Sequence, residues 1–154
     1  MNFTLNTIAQ SLSDYLGPVF PGVTFYEDPN QQGSDAPCMF LQQRYSNLRQ
    51  VYDNRWLRTI GLDLTYLEDY NRPDLQRRYQ AAAEGLDLVM ELFPYTDEIS
   101  GITLLRTYER DWRIDLDALH YKFELRVFVE LPVEAVKMRE MEYNQTIKEV
   151  SDGK

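Results

Sequence analysis

The chain has 154 residues, a formal net charge of −9 and a hydrophobic fraction of 44%, which is typical of one globular domain with a single core. The acidic balance argues against a protein that grips nucleic acid by its phosphates, because that needs clustered Lys and Arg. The chain holds one cysteine and one histidine, which excludes an internal disulfide and a zinc-type cluster.

The N-terminal third predicts one helix and two strands. Apolar residues recur at helical spacing over 3–16, and Gly17 followed by proline ends that helix. Short strands are predicted over 23–26 and 37–45, separated by a loop at 28–36 that is dense in turn-forming residues.

The segment 46–54 is polar but contains Leu48 and Tyr52. It fits either a wide hairpin loop or an extension of two long strands beyond the sheet. Residues 55–67 predict the next strand. One face of that strand carries Trp56, Ile60, Leu62, Leu64 and Tyr66, interrupted by Arg58, and the other carries Thr59, Gly61, Asp63 and Thr65.

Residues 74–93 give the strongest helical pattern, which Pro94 is expected to end. A loop at 96–101 and a strand at 102–112 are predicted to follow. The longest signal is the strand at 118–131, whose apolar residues fall on every second position, as one buried face requires. They are Leu119, Tyr121, Phe123, Leu125, Val127, Val129 and Leu131.

The order of elements predicts an α+β fold. We expect an antiparallel or mixed sheet with both main helices on one face, and a long C-terminal hairpin made by 102–112 and 118–131. We assign residues 1–132 to a single domain. Residues 133–154 form a charged C-terminal extension, which we expect to be partly helical or disordered.

Catalytic and cofactor motifs are missing from the sequence. It contains no glycine-rich phosphate loop, GxSxG or HExxH. We interpret Cys38 as a core residue and His120 as a sheet-surface residue, and we read the carboxylates at Asp115 and Asp117 as turn residues rather than a calcium site. Arginines such as Arg106 and Arg110 are explained by solvated faces and salt bridges. We therefore predict no enzyme, cofactor or metal.

No apolar run of about 18 residues occurs, and the N-terminus lacks the basic start and apolar centre of a signal peptide. These patterns predict no membrane association. We expect a soluble protein that is made in a reducing cytoplasm.

Three runs resemble the phage tail terminator family of phages and prophages of Gram-positive bacteria. They are PCMF at 37–40, RTIGLDLTYL at 58–67 and DALHYKFEL at 117–125. The resemblance covers roughly residues 1–131. The chain departs from the family pattern at Ala118, where Gly is common, and in its long charged tail.

The resemblance implies a structural virion protein. Tail terminators form a ring, usually hexameric, that caps the tail tube, stops its polymerisation and offers a docking surface for head connector proteins. The implied partners are further copies of the chain, the tail tube protein and the head–tail connector proteins, and DNA is expected to pass through the lumen without specific binding. The implied location is the tail or neck of the virion, assembled in the host cytoplasm.

Other functions stay open at this point. Another head–tail neck protein, such as a connector or stopper, shares the size, acidity and α+β character. A small enzyme or nucleic-acid-binding domain is disfavoured by the motifs and charge. The candidate residues for subunit contacts are the aromatic and apolar residues that flank the long strands and lie in the tail: Tyr45, Leu48, Tyr52, Trp56, Met138, Met141 and Tyr143.

Overall fold

A computed structural model describes residues 3–26, 36–99, 101–115 and 117–130. Two helices and six strands occur in these ranges. They are α1 (Leu5–Leu16), β1 (Thr24–Tyr26), β2 (Cys38–Tyr52), β3 (Arg55–Leu67), α2 (Leu75–Val89), β4 (Leu92–Asp97), β5 (Gly101–Asp115) and β6 (Ala118–Glu130). The predicted extension at 133–154 lies outside the described residues.

The strands form one mixed sheet in the order β1-β2-β3-β6-β5-β4. β1 runs parallel to β2, with Thr24 opposite Cys38. β5 runs antiparallel to both of its neighbours, β4 and β6. A mixed sheet accompanied by two helices confirms the predicted α+β class.

The helix α1 is defined at both ends by local chemistry. Thr4 caps its N-terminus and exchanges hydrogen bonds with Thr7 in a capping box. The helix ends where Gly17 precedes a proline, which cannot continue the hydrogen-bonding pattern. Its core-facing side carries Ile8, Ser11, Leu12 and Leu16, so the helix predicted over 3–16 is present.

The alternating strand β6 is a central part of the core. The side chains of Leu119, Tyr121, Phe123, Leu125 and Val127 are buried, and Ala118 at its start is also buried. Their neighbours in the sequence are more accessible. The period-two pattern therefore identified the buried face, and Cys38 on β2 is buried as expected.

Both helices lie on the same face of the sheet. α1 meets β4, where the hydroxyls of Thr7 and Tyr95 lie 3.0 Å apart, and Phe3, just before the helix, packs edge-on against Tyr95. α2 meets β6, where the Tyr121 hydroxyl donates to Asp87 Oδ1 at 2.6 Å. Cross-strand register puts Tyr95 and Tyr121 on one face. The opposite face carries no helix among the described residues.

The helix predicted over 74–93 is too long, and the loop predicted at 96–101 is partly wrong. α2 ends at Val89, and Leu92–Asp97 forms β4. Phe93 and Tyr95 alternate into the core, while Pro94 pairs opposite Leu104. Proline is tolerated here because β4 is an edge strand, where a missing N–H interrupts no second ladder.

The segment 46–54 is not a wide loop. β2 continues to Tyr52 and β3 begins at Arg55, so two residues form the turn between two long strands. Asp53 adopts a left-handed backbone with φ of 49°, which Asp tolerates better than most residues. Gln50 Nε2 donates to the Asp53 carbonyl oxygen at 2.6 Å.

The chain groups into two compact units. The first comprises residues 1–47 and 59–126, and the described residues of the second are 48–58 and 127–130. Both helices and the pairing of β4, β5 and most of β6 belong to the first unit.

Candidate subunit interface

The structure exposes three of the residues proposed for subunit contacts. Tyr45 is 39% exposed in the first unit, while Leu48 and Tyr52 are exposed in the second. Trp56, also in the second unit, is half-buried. Val51 and Phe128 are exposed apolar residues of the second unit that the sequence did not single out. Met138, Met141 and Tyr143 lie outside the described residues.

Tyr45 lies flat on the helix-free face of the sheet. Its ring covers Gly61, where an added Cβ would lie 2.2 Å from the ring atom Cε1. Its hydroxyl donates to Glu124 Oε2 at 2.6 Å. Arg126 Nε donates to the other oxygen of the same carboxylate at 2.6 Å, and its guanidinium lies over the ring of Tyr108. This chain of contacts fixes Tyr45 in the free subunit.

The hydrogen bond between Tyr45 and Glu124 changes the acidity of both groups. The bond to the carboxylate, with burial adding to it, raises the pKa of Tyr45 above its ordinary value. The same bond lowers the pKa of Glu124; burial opposes this effect, and Arg126 reinforces it. At neutral pH Tyr45 is therefore a neutral phenol that donates to the ionised carboxylate of Glu124. No proton has to move for this hydrogen bond to persist.

An arginine organises the aromatic residues of the second unit. The guanidinium of Arg55 lies 4.3 Å from the ring centroid of Phe128 and 5.9 Å from that of Tyr52, and its Nη1 donates to the Tyr52 hydroxyl at 3.1 Å. Cation–π contacts of this kind restrict exposed aromatic side chains. Tyr52 and Phe128 are thus ordered before any partner arrives, which lowers the entropic cost of binding.

Two N–H donors of the second unit lack an acceptor among the residues that the structure describes. Trp56 Nε1 and Arg58 Nε are shielded from solvent and have no hydrogen-bond partner among the described residues. A buried donor without a partner costs about 1–3 kcal/mol. The packing around Trp56 and Arg58 is therefore not optimised for the stability of the described part of the chain alone.

The polar group around His120 is structural in its geometry. His120 Nδ1 lies 3.0 Å from Asp63 Oδ2, and its Nε2 lies 3.5 Å from Asp115 Oδ2. The Thr65 hydroxyl donates to Asp63 and approaches the same Nδ1 atom. Nucleophile activation needs the acid and the hydroxyl on opposite imidazole nitrogens, so this arrangement cannot activate Thr65.

These contacts explain why both faces of β3 are buried near its C-terminal end. The face opposite the apolar residues is buried at Gly61, Asp63 and Thr65. Tyr45 covers the first of these residues, and His120 the other two. His120 itself is partly buried in the sheet surface.

The described residues offer neither a metal site nor a membrane-spanning helix. Within 3–26, 36–99, 101–115 and 117–130, no group of three or more His, Cys, Asp or Glu side chains could hold a metal ion. Neither α1 nor α2 has the length and apolar character needed to cross a membrane.

Comparison with known proteins identifies the family. No curated protein matches the chain. A family model described as "Phage tail terminator protein" matches residues 6–137, which include every helix and strand described above except the first residue of α1. This chain is a member of the phage tail terminator family and, by that membership, a structural component of a phage tail.

Proposed function

We propose that the chain assembles into a ring, a hexamer by analogy with the family, that caps the tail tube. In this role it stops tube polymerisation and presents the surface to which the head connector docks. The observation that carries the proposal is the family match over residues 6–137. Assembly takes place in the host cytoplasm, and the ring becomes part of the tail or neck of the virion.

The contact surface of the ring is built from residues that the free chain leaves accessible or incompletely bonded. Tyr45, Leu48 and Tyr52 present apolar area with a polar tip, which suits surfaces that are buried on assembly. Trp56 contributes a donor that has no acceptor within the described part of the chain. Met138, Met141 and Tyr143 of the C-terminal segment complete the contact on a neighbouring subunit.

The net charge supports a lumen through which DNA moves without specific binding. With 25 acidic and 16 basic residues, the protein as a whole repels the phosphate backbone. The function requires no catalysis, and the His120 group described above offers no activated nucleophile.

The test combines mass measurement with imaging. Light scattering on the purified chain across concentration gives the oligomeric state, and negative-stain images after mixing with tail tubes show whether the chain binds their ends. We expect a closed ring of about six subunits at tube ends, and tubes that no longer elongate. Tubes that keep growing, with no added density at their ends, would contradict the proposal.

A matched pair of variants localises the contact. Leu48→Ser combined with Tyr52→Ser should weaken ring formation, because it removes exposed apolar area from the proposed interface. The control combines Tyr70→Ser with Leu88→Ser, two residues that are more accessible than Leu48 and Tyr52 but lie outside the proposed interface. Equal loss of rings in both variants would show that the effect is not specific to the proposed surface.

A further inference from the structure

A second apolar surface lies on the helix-free face of the first unit. Leu92, Pro94, Ile102 and Leu104 share this face of β4 and β5, and Ile99 lies in the adjoining turn. We call these five residues the β4–β5 strip. Ile102 and Leu104 are 75% and 65% exposed, and Ile99 is 72% exposed. Clustered exposure of this kind marks an interaction site far more often than scattered single residues do.

The strip is not needed for the fold. Residues of β4 and β5 that point to the other face, such as Phe93 and Leu105, fill the core against the helices. Polar residues on the outer face would leave that core unchanged, so folding alone does not explain a run of Ile and Leu there. An apolar face that stays exposed in the folded chain is best explained by a partner that covers it.

A partner cannot readily reach this surface by adding a strand to β4. Ser11 on α1 occupies backbone groups of Thr96 on the strand: the Thr96 N–H donates to the Ser11 hydroxyl at 3.1 Å. The Ser11 hydroxyl in turn lies 3.3 Å from the Thr96 carbonyl oxygen. Because the edge is occupied at Thr96 in this way, side chains on the face of the strip are the more accessible route for docking.

The geometry points to a second copy of this chain as the occupant: the β4–β5 strip of one subunit receives the β2–β3 turn segment, residues 48–58, of the next. This inference rests on the proposed ring. A closed ring needs two different surfaces on each subunit, whereas a two-fold dimer needs one surface that matches itself. The strip and the turn segment are two such different surfaces, and both are apolar and exposed.

Charge supports the same pairing. Residues 48–58 contain three arginines and one aspartate, whereas residues 91–106 contain three acids, of which Asp97 is buried, and one arginine. In an acidic protein the first segment is unusually basic. Glu98 is exposed beside Ile99, and Arg106 next to the strip is already paired with Glu91 at 2.9 Å. Opposite charges around two apolar centres favour this pairing over strip against strip.

Mixing two variants tests the inference. The strip variant combines Ile102→Ser with Leu104→Ser, and the turn variant combines Leu48→Ser with Tyr52→Ser. Neither should form rings alone, and each should associate about tenfold more weakly than the wild type. Mixed together, they retain one intact strip and one intact turn segment, so they should form a heterodimer that grows no further. Sedimentation and native mass spectrometry read out both results.

The outcomes separate this inference from the proposed function. The pairing is wrong if the strip variant assembles like the wild type, if the Tyr70→Ser and Leu88→Ser control loses assembly equally, or if the mixture gives no heterodimer. It is also wrong if the wild-type chain stays monomeric at every concentration. In each case tube capping by the wild type, measured separately, still decides the proposed function. Association that weakens as salt rises would support the contribution of charge.

Discussion

Gly61 is required because the ring of Tyr45 occupies the space above it. A Cβ at this position would lie 2.2 Å from Cε1 and 2.3 Å from Cζ of that ring, well inside contact distance. The ring cannot move aside without breaking the hydrogen bond from its hydroxyl to Glu124. An exposed aromatic residue thus determines the identity of a buried glycine on the neighbouring strand.

We expect Gly61→Ala to destabilise the protein by about 1–2 kcal/mol, as overpacked positions generally do. In a Tyr45→Ala background the same substitution should change sign and stabilise by about 0.5–1 kcal/mol, since alanine is better than glycine in a strand interior. Urea unfolding of the four proteins of this double-mutant cycle measures both values. Equal costs in the two backgrounds would show that the ring does not limit position 61.

A second residue-scale feature is the buried carboxylate of Glu68. Its side chain is 1% exposed and accepts hydrogen bonds from Nε and Nη2 of Arg78, at 2.9 and 3.1 Å. The Tyr66 hydroxyl also donates to it, and the Glu68 N–H donates to Tyr79. Burial alone would raise the pKa of Glu68, but the hydrogen bonds from Arg78 and Tyr66 outweigh burial and lower it.

This lowered pKa makes Glu68 a source of acid sensitivity. A group whose folded pKa is depressed contributes stability above its unfolded pKa of about 4.3, and that stability is lost as pH falls through the folded pKa. Glu68→Gln should lower the free energy of unfolding by about 2 kcal/mol at pH 7. The loss is limited because Arg78 is partly exposed and solvent screens its charge.

The difference between wild type and Glu68→Gln should shrink as the pH is lowered below about 4. Thermal unfolding of both proteins at a series of pH values measures this difference. The matched control is Glu84→Gln, an exposed glutamate on the same helix as Arg78, which should leave the free energy of unfolding nearly unchanged. A difference in stability between wild type and Glu68→Gln that stays constant down to pH 3 would contradict the lowered pKa of Glu68.

At the scale of elements, the sequence predicted the segments whose pattern fits only one kind of secondary structure. α1 has a helical period and a Gly-Pro stop, and β6 alternates over its length, so each fits one kind of element only. Residues 89–97 are different, because Phe93 continues the helical period of α2 while also alternating with Tyr95 into the core. Tertiary contacts, which the sequence pattern does not contain, decided for the strand.

Tertiary contacts also determine which faces of a strand are buried. In β3 the pattern placed Gly61, Asp63 and Thr65 on the face opposite the apolar residues, and all three are buried. Their burial comes from Tyr45 on β2 and His120 on β6, and no local pattern shows which side chains a neighbouring strand will place above them.

The alternating face of β6 gives an element-scale prediction. Leu125→Asp should abolish cooperative folding, because Leu125 is fully buried and an unpaired charge in a core costs several kcal/mol. Lys122→Asp on the opposite face is the matched control and should leave the fold intact. Circular dichroism and solubility compare the two proteins. A soluble, native-like Leu125→Asp variant would contradict the assignment of this face to the core.

At the scale of the whole molecule, the exposure of apolar residues was predicted only in part. The position of Leu48 and Tyr52 in a polar segment pointed to exposure, and both are exposed. Ile102 and Leu104 gave no such signal, because the run ITLL at 102–105 carries leucine on both faces. Which of its faces meets the helices depends on the pairing of β5 with β4 and β6, so the strip becomes visible only in the folded chain.

The C-terminal segment gives the prediction for assembly. Deleting Val133–Lys154 should leave the fold of the first unit unchanged, because that unit is built from residues 1–47 and 59–126 and its core residues lie within these ranges. Assembly should weaken, since Met138, Met141 and Tyr143 are lost from the proposed contact with a neighbouring subunit. Thermal unfolding measures the first effect, and light scattering with imaging of capped tubes measures the second.

A full-length variant separates the loss of these three side chains from the loss of the segment. Replacing Met138, Met141 and Tyr143 by Ser should weaken assembly about as much as the deletion, if the segment acts through its apolar residues. A truncated protein that precipitates or unfolds would place the segment in the core of the subunit instead. The triple variant would then also lose thermal stability, because polar hydroxyls would replace buried apolar groups, and that shift distinguishes a segment that completes the fold from one that joins neighbouring subunits.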